Sequence, residues 1–333
     1  MGFFLSLLFG IVPMLFFAWF IYWLDRYEKE PLMLLGGVFT WGAVVAAGGA
    51  FLINSFLGLG VYFLTGSEAA TEITTGSLIA PIVEETLKGI AILMVFLIFR
   101  HEFDSILDGI VYGAIVALGF AATENIHYIY SYGYLEQGYQ GLLYMIFVRV
   151  ILVGWQHPFY TAFTGIGLAI ARLNSTLWKK ICFPIAGWCV AIFTHAMHNT
   201  ITTILNGFGG LALSTLLDWS GWLLLFIFIL WVIFQEHQLL VIRLREEVIS
   251  GSITPAQYHT ACSAWLQSYA RFSALLSGHY SATHRFYQLC GELAHKKEQL
   301  YRYGEEGNIQ NGNTSIILNL QSNLTRLSPL AKA

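Results

Sequence analysis

Two adjacent glutamates, Glu84 and Glu85, lie near the start of an apolar stretch that continues to Phe99, and Lys88 follows them by one helical turn. Ionisable side chains inside a lipid-spanning helix are costly unless they face protein, water or an ionic partner. One lysine cannot neutralise two carboxylates, so at least one glutamate needs another partner or a chemical role. A carboxylate held close to a water molecule can act as a general base.

Other side chains of catalytic type lie in separate apolar stretches. They are Glu124, His157, His195, His198 and Asn199. Together with the glutamate pair they supply what peptide-bond hydrolysis needs, which is an activated water, a proton donor for the leaving amine and an oxyanion stabiliser.

These residues allow two versions of that chemistry. In the first, no metal takes part: Glu84 or Glu85 is the base, His195 and Asn199 stabilise the oxyanion, and His157 assists. In the second, His157, His195 and either Glu124 or His198 ligate zinc, with a glutamate as base. The chain has no H-E-x-x-H motif, so the common zinc-protease helix is absent. The sequence leaves the cofactor as zinc or none.

The elements that must position these groups are membrane helices. The chain is 56% hydrophobic and 11% charged, whereas soluble domains are about 25% charged. Seven apolar runs are long enough to cross a bilayer; they cover residues 3–24, 32–56, 77–99, 106–130, 142–171, 181–205 and 219–240. The sequence therefore predicts an all-α, multi-pass bundle of about seven transmembrane helices in contact with the lipid bilayer. No basic stripe indicates a nucleic-acid partner.

The charges of the connecting loops predict the orientation of the bundle. Lysine or arginine occurs in loops 25–31, 100–105 and 172–180, while loops 65–76, 131–141 and 206–218 contain neither. Because positively charged loops stay in the cytoplasm, we expect the amino terminus outside and the carboxyl terminus in the cytoplasm.

Depth within the bilayer brings the polar groups together. At 1.5 Å per helical residue, Glu84 and Glu124 each lie about 10 Å below the outer edge, and His195 lies about 15 Å below it. Carboxylates from two helices and an imidazole from a third therefore meet at one level, in the outer half of the membrane.

The last third of the chain changes in composition. We expect a transmembrane core over residues 1–240, a cytoplasmic helical extension over 241–303 and a loose carboxyl-terminal tail over 304–333, which is rich in polar residues. Thr254 followed by Pro255 is typical of a helix start.

Several short motifs, in this order, resemble the PrsW family over residues 15–205. The motifs begin with the segment from Asp25 to Pro31 and continue with E-E-x-x-K at Glu84, D-G-x-x-Y-G at Asp108, F-x-x-x-E-N at Phe120, the surroundings of His157 and H-x-x-H-N at His195. The resemblance implies an intramembrane protease related to the CAAX-processing and bacteriocin-immunity proteases, in a bacterial plasma membrane. It also implies membrane-embedded protein substrates, among them anti-sigma factors cut on the extracytoplasmic side. The family has been described both as metallopeptidase and as glutamic peptidase.

Two other functions remain open on the residues alone. Buried carboxylates and histidines also form relays in proton- or cation-coupled transporters, although such proteins usually show repeated halves and none is visible here. A non-catalytic membrane scaffold with a partner-binding tail is the third hypothesis.

Overall fold

The computed structural model describes residues 1–205, 207–304 and 312–333, and its regular structure in those residues is entirely helical. The all-α prediction is confirmed. The described residues divide into two compact units. The first comprises 1–24, 30–172 and 176–228, and the second comprises 25–29, 173–175 and 229–333.

The first unit is a bundle of long helices. Its helices are α1 (Gly2–Leu24), α2 (Leu32–Thr40), α3 (Ala47–Thr65), α4 (Glu68–Thr74), α5 (Ala80–Ile98), α6 (Ile106–His127), α7 (Leu135–Ile146), α8 (Gln156–Arg172), α9 (Leu177–Leu205) and the first part of α10 (Gly207–Arg243). Short π-helical segments join α2 to α3, α4 to α5 and α6 to α7. A further π-helical segment follows α7.

Five helical stretches among the described residues are long and apolar enough to cross a membrane. They are Gly2–Leu24, Leu32–Thr65, Ile106–Arg172, Leu177–Leu205 and Gly207–Ile249. The count of seven spans is therefore not confirmed. Ile106–Arg172 covers 67 residues, more than twice the length of one crossing, and α5 carries three ionisable side chains within its apolar sequence.

Helix α6 lies at the centre of the first unit, and nearly all of its residues are buried. Small residues let α8 approach it closely. A Cβ atom added to Gly165 would lie 1.8 Å from the carbonyl oxygen of Gly109, so neither position accepts a side chain unless the two helices separate. This contact is the close packing that glycine permits in membrane bundles, and it fixes α8 against α6.

Polar contacts fix the first turn of α6. The Ser105 hydroxyl accepts the Asp108 N–H at 3.2 Å, and the Asp108 carboxylate accepts the Ser105 N–H at 2.6 Å. This reciprocal capping box satisfies two N–H groups of the helix start. One turn further on, the Tyr112 hydroxyl donates to Glu30, whose carboxylate is buried.

The helix break before α8 is stabilised from α10. The chain leaves helical geometry at Val153 and resumes it at Gln156, and Pro158 sits in the first turn of α8, where proline is tolerated. The break frees backbone carbonyls that lipid cannot satisfy. The indole N–H of Trp219 donates to the Leu152 oxygen at 2.8 Å, and that of Trp222 donates to the Trp155 oxygen at 2.7 Å.

The second unit has its own apolar core. It contains the end of α10 and α11 (Arg245–Ile249), α12 (Pro255–Ala261), α13 (Ala264–Leu276), α14 (Tyr280–Tyr303) and α15 (Asn313–Leu327). Thr254 caps α12 in a capping box with Gln257, as the sequence suggested. The division between the two units falls within α10, after Phe228. The sequence predicts a transmembrane core that ends at residue 240.

The expectation of a loose tail over 304–333 was wrong for its helical part. Helix α15 buries Ile317, Leu320 and Leu324, which recur at helical spacing and pack into the core of this unit. The abundant Asn, Ser and Gln on its other face obscured that period. Residues 305–311 of the expected tail lie outside the described residues.

Two cysteines of this unit behave as small apolar residues. Cys262 and Cys290 are buried free thiols. Burial raises the pKa of Cys262 to about 11 and raises that of Cys290 further, so both stay protonated and unreactive at neutral pH.

Candidate active site

The glutamate pair lies in the first two turns of α5 and is buried together with Lys88. The Lys88 ammonium donates to Glu85 Oε1 at 2.8 Å, and the Thr161 hydroxyl of α8 donates to Glu85 Oε2 at 2.7 Å. Glu84 is different: its Oε2 atom is buried, lies 3.6 Å from Lys88 Nζ and has no hydrogen-bond partner. The two neighbours therefore differ: hydrogen bonds hold both oxygens of Glu85, whereas Glu84 Oε2 makes no hydrogen bond and could bind a water molecule or a metal ion.

Helix α9 brings His195 to the same carboxylates. Its Nδ1 atom lies 3.0 Å from Glu85 Oε1, and its Nε2 atom lies 3.8 Å from Glu84 Oε2. Glu85 already accepts from an ammonium and a hydroxyl, so it is ionised and can only accept hydrogen bonds. His195 must therefore carry its proton on Nδ1, which leaves the lone pair of Nε2 directed towards Glu84.

His157, in the first turn of α8, repeats this arrangement. Its Nε2 atom lies 2.8 Å from Glu124 Oε2, while its Nδ1 atom lies 3.3 Å from Lys88 Nζ. The same reasoning places the proton on Nε2 and the lone pair on Nδ1. The rings of His157 and His195 have their centroids 5.2 Å apart. Each imidazole thus gives its N–H to a carboxylate; the other nitrogen of His195 lies near Glu84, and that of His157 lies near the Lys88 ammonium.

Glu124 is neutralised by Arg149. The sequence offers Glu124 and Glu136 as partners for this arginine. The structure joins its guanidinium to Glu124, and its Nε atom donates to the Asn125 side chain at 3.1 Å. Arg149 therefore stabilises the charge of the carboxylate that orients His157.

Three of the predicted site residues form a set with the character of a metal site. One ligand atom each from Glu84, His157 and His195 lie within 4.8 Å of one another, and all three residues are buried. This set differs from the expected one, because Glu84 takes the place of Glu124 or His198. The sequence predicts the depth of each side chain in the membrane but not the rotation of its helix, which decides the neighbours that the side chain contacts.

His198 and Asn199 have other partners. His198 Nδ1 donates to Asp218 Oδ2 at 2.6 Å, and the Asn199 amide donates to the Gly76 carbonyl oxygen at 2.9 Å. His198 stands three residues beyond His195, so the turn of α9 directs it towards α10 instead. The amide of Asn199 ties α9 to the turn that precedes α5.

Asp218 of α10 is a functional residue that the sequence reasoning missed. It is buried and accepts from Gln156 at 2.6 Å and from the Tyr160 hydroxyl at 2.9 Å. The Tyr160 ring stacks on His195, with the centroids 4.9 Å apart. The available signal was a carboxylate at the edge of an apolar run with no lysine or arginine beside it. Thr161, which holds Glu85, carried no such signal.

Comparison with known proteins identifies the family of this chain. A family model described as "PrsW family intramembrane metalloprotease" matches residues 30–234, which include every residue of the site. The chain belongs to the PrsW family. It is therefore a membrane protease, as the motifs indicated.

Several relatives carry the same description, "Protease PrsW". The protein from Bacillus subtilis (strain 168) is 28% identical over 226 residues, which are 67% of this chain and 88% of the relative. The protein from Geobacillus kaustophilus is 26% identical over 57% of this chain and 76% of its own length. A Clostridioides difficile protein is 37% identical over 37% of this chain and half of its own length. No solved structure matches this chain.

The residues of this PrsW-family site fit a divalent metal. Two imidazoles and one carboxylate are a common ligand set of catalytic zinc, which keeps a further position for water. Glu84 Oε2 is a buried oxygen that lies 3.6 Å from Lys88 Nζ and has no hydrogen-bond partner, so it could coordinate a metal ion. Glu85 and Glu124 orient the two histidines from outside, as carboxylates commonly do around zinc.

Proposed function

We propose that this chain hydrolyses peptide bonds of membrane-embedded proteins at the cluster formed by Glu84, Glu85, His157 and His195. The observation that carries the proposal is the buried, unpartnered oxygen of Glu84 beside two histidines whose N–H groups are both given to carboxylates.

In the proposed reaction, water adds to the substrate carbonyl and the peptide C–N bond breaks. Glu84 Oε2 accepts the proton of the attacking water and returns a proton to the leaving nitrogen, so that one carboxylic acid and one amine result. Glu85 does not exchange protons; it holds His195 in one orientation and is itself held by Lys88 and Thr161.

The metal-dependent version is the one that the histidines favour. A neutral imidazole that donates one N–H to a carboxylate has no second N–H for an oxyanion, so His195 is better suited to ligation than to the oxyanion role we first considered. Glu84, His157 and His195 would hold the ion, so in this version Glu84 would be a ligand and not the base, and the proton transfers by Glu84 described above belong to the metal-free version. When bound, zinc polarises the carbonyl and lowers the pKa of bound water towards neutrality.

The proposed substrates are proteins with a transmembrane segment near the cut, and single-span anti-sigma factors are the first to test because the motif resemblance implies them. The loop charges support a cut in the extracytoplasmic half of the membrane. We further propose a bacterial plasma membrane location with the amino terminus outside and the residues after α10 in the cytoplasm.

The test uses purified protein in liposomes with a single-span substrate, in water enriched in ¹⁸O. We expect two fragments, with ¹⁸O in the new carboxyl group, and no cleavage by the double variant Glu84→Gln/Glu85→Gln. Unchanged turnover in that variant would eliminate the proposed site.

Metal content decides between the two versions. We expect about one zinc per active chain and loss of cleavage with a chelator, restored by zinc addition. Full activity in metal-free protein would instead assign the reaction to the glutamate alone.

A further inference from the structure

A cavity of about 990 Å³ connects the site with the region around α4. It lies between α3, α4 and α6, and both Glu84 and Glu124 line it. Nothing in the reaction as proposed uses this space, although a volume of this size holds several amino-acid residues. Because Glu84 lines this cavity, a substrate could reach Glu84 through it.

Two residues that line this cavity carry a buried polar atom without a hydrogen-bond partner. The Asn54 side-chain oxygen and the Thr75 hydroxyl are buried atoms with no hydrogen-bond partner, and both residues line the cavity together with Glu84. Glu84, which also lines the cavity, is only 6% exposed. Unsatisfied polar atoms are costly at membrane depth. They suit an occupant with free backbone N–H groups, which an unwound peptide segment has and a lipid chain lacks.

The other end of the cavity is acidic. Glu68 and Glu72 line it from one face of α4 and are exposed. Within the described residues neither is ion-paired, and loop 65–76 contains no lysine or arginine. Two carboxylates one turn apart on a helix repel each other, so a cationic group at this position relieves an existing repulsion.

We propose that this cavity is the substrate groove, and that it takes an unwound transmembrane segment carrying lysine or arginine on its α4-side flank. The proposal rests on the proposed function and adds a substrate class to it. In the proposed topology this flank is extracytoplasmic.

The helix geometry gives the position of the basic residue. Glu72 and Glu68 precede Glu84 by 12 and 16 residues of nearly continuous helix, or about 18 and 24 Å at 1.5 Å per residue. An extended chain covers about 3.4 Å per residue. The groove therefore prefers a basic side chain about five to seven residues from the scissile bond.

The charge test compares two substrates that differ only there, one with Lys-Arg and one with Gln-Gln. Wild-type protein in phosphatidylcholine liposomes, which carry no net charge, should cleave the basic substrate with a kcat/KM about fivefold to tenfold higher. The ratio should fall to about one in Glu68→Gln/Glu72→Gln and should shrink at high salt. Glu136→Gln, which removes an exposed charge that does not line the cavity, should keep the preference.

The outcomes separate the two proposals. Equal cleavage of both substrates by wild type would overturn the groove and leave the proposed function standing, and so would a basic preference that survives Glu68→Gln/Glu72→Gln. Cleavage of neither substrate would count against the proposed function itself.

A steric test is independent of charge. Gly48 lines the cavity, and an added Cβ there meets no atom within 4 Å; Gly60 on the same helix is equally open but does not line the cavity. Gly48→Leu should raise KM severalfold for both substrates, whereas Gly60→Leu should not. Equal kinetics in the two variants would overturn the groove.

Discussion

At the scale of single residues, the account depends on what the carboxylates of the site hold. Glu85 and Glu124 each fix one histidine, and Asp218 extends this pattern outward: it holds the Tyr160 hydroxyl, and the Tyr160 ring lies against His195. Asp218 is too far along this chain of contacts to react with substrate, so we regard it as a positioning residue.

Asp218→Asn tests that role. We expect kcat to fall about tenfold or more with KM within about twofold of wild type, because the outer support of a catalytic imidazole affects reaction more than binding. Tyr160→Phe keeps the stacked ring and loses only the hydroxyl, so its kcat should fall less. A rise in KM as large as the fall in kcat, or an unchanged kcat, would contradict the role.

The sequence predicted part of this site and missed part of it for a physical reason. Residue types and loop charges predicted that Glu84, Glu124 and His195 lie at one level of the membrane. The rotation of each helix decides which neighbour a side chain contacts, and it depends on close packing between distant segments. For that reason His198 and Asn199 were expected in the site and found elsewhere, while Asp218 was overlooked.

At the scale of helices, the site depends on how closely α8 packs against α6. The Gly109–Gly165 contact fixes this distance, and His157 and Thr161 stand on the first turns of α8. The indoles of Trp219 and Trp222 then hold the broken end of the same helix. Pro158 is a helix-breaking residue visible in the sequence, but the donors that satisfy the break come from a distant segment.

Gly165→Ala tests the helix contact. A methyl group there overlaps the Gly109 carbonyl, so the helices must separate; overpacking of this kind costs about 1–3 kcal/mol. We expect a lower unfolding temperature in detergent and reduced cleavage. Gly36→Ala is the matched control, since a Cβ at Gly36 meets no atom within 4 Å, and alanine there should be neutral or slightly stabilising. Similar unfolding temperatures for the two variants would contradict the close contact.

At the scale of the whole molecule, composition alone predicted a helical membrane protein, but it did not settle the number of crossings. Two segments make the crossings hard to count. Helix α5 carries three charged side chains within its apolar sequence. Ile106–Arg172 is one long helical run that wide turns and a break interrupt. Conversely, α15 looked disordered by composition although its apolar residues recur at helical spacing.

Reporter fusions test the proposed orientation. A fluorescent protein fused after Ala333 should fluoresce, since it folds in the cytoplasm, while alkaline phosphatase fused there should be inactive. Truncations fused after Gln140, in the segment without lysine or arginine, should give the opposite result. The reverse pattern would place the site in the cytoplasmic half of the membrane.

The most direct measurement is the turnover of a single-span substrate by Glu84→Gln in liposomes. This change removes one charge and keeps the shape of the side chain, and the Glu85–Lys88–His195 contacts stay in place. The account predicts that kcat falls by about a thousandfold or more, as for the loss of a main catalytic group, with the unfolding temperature within a few degrees of wild type. Turnover within about twofold of wild type in a folded variant would show that Glu84 is not the reacting carboxylate.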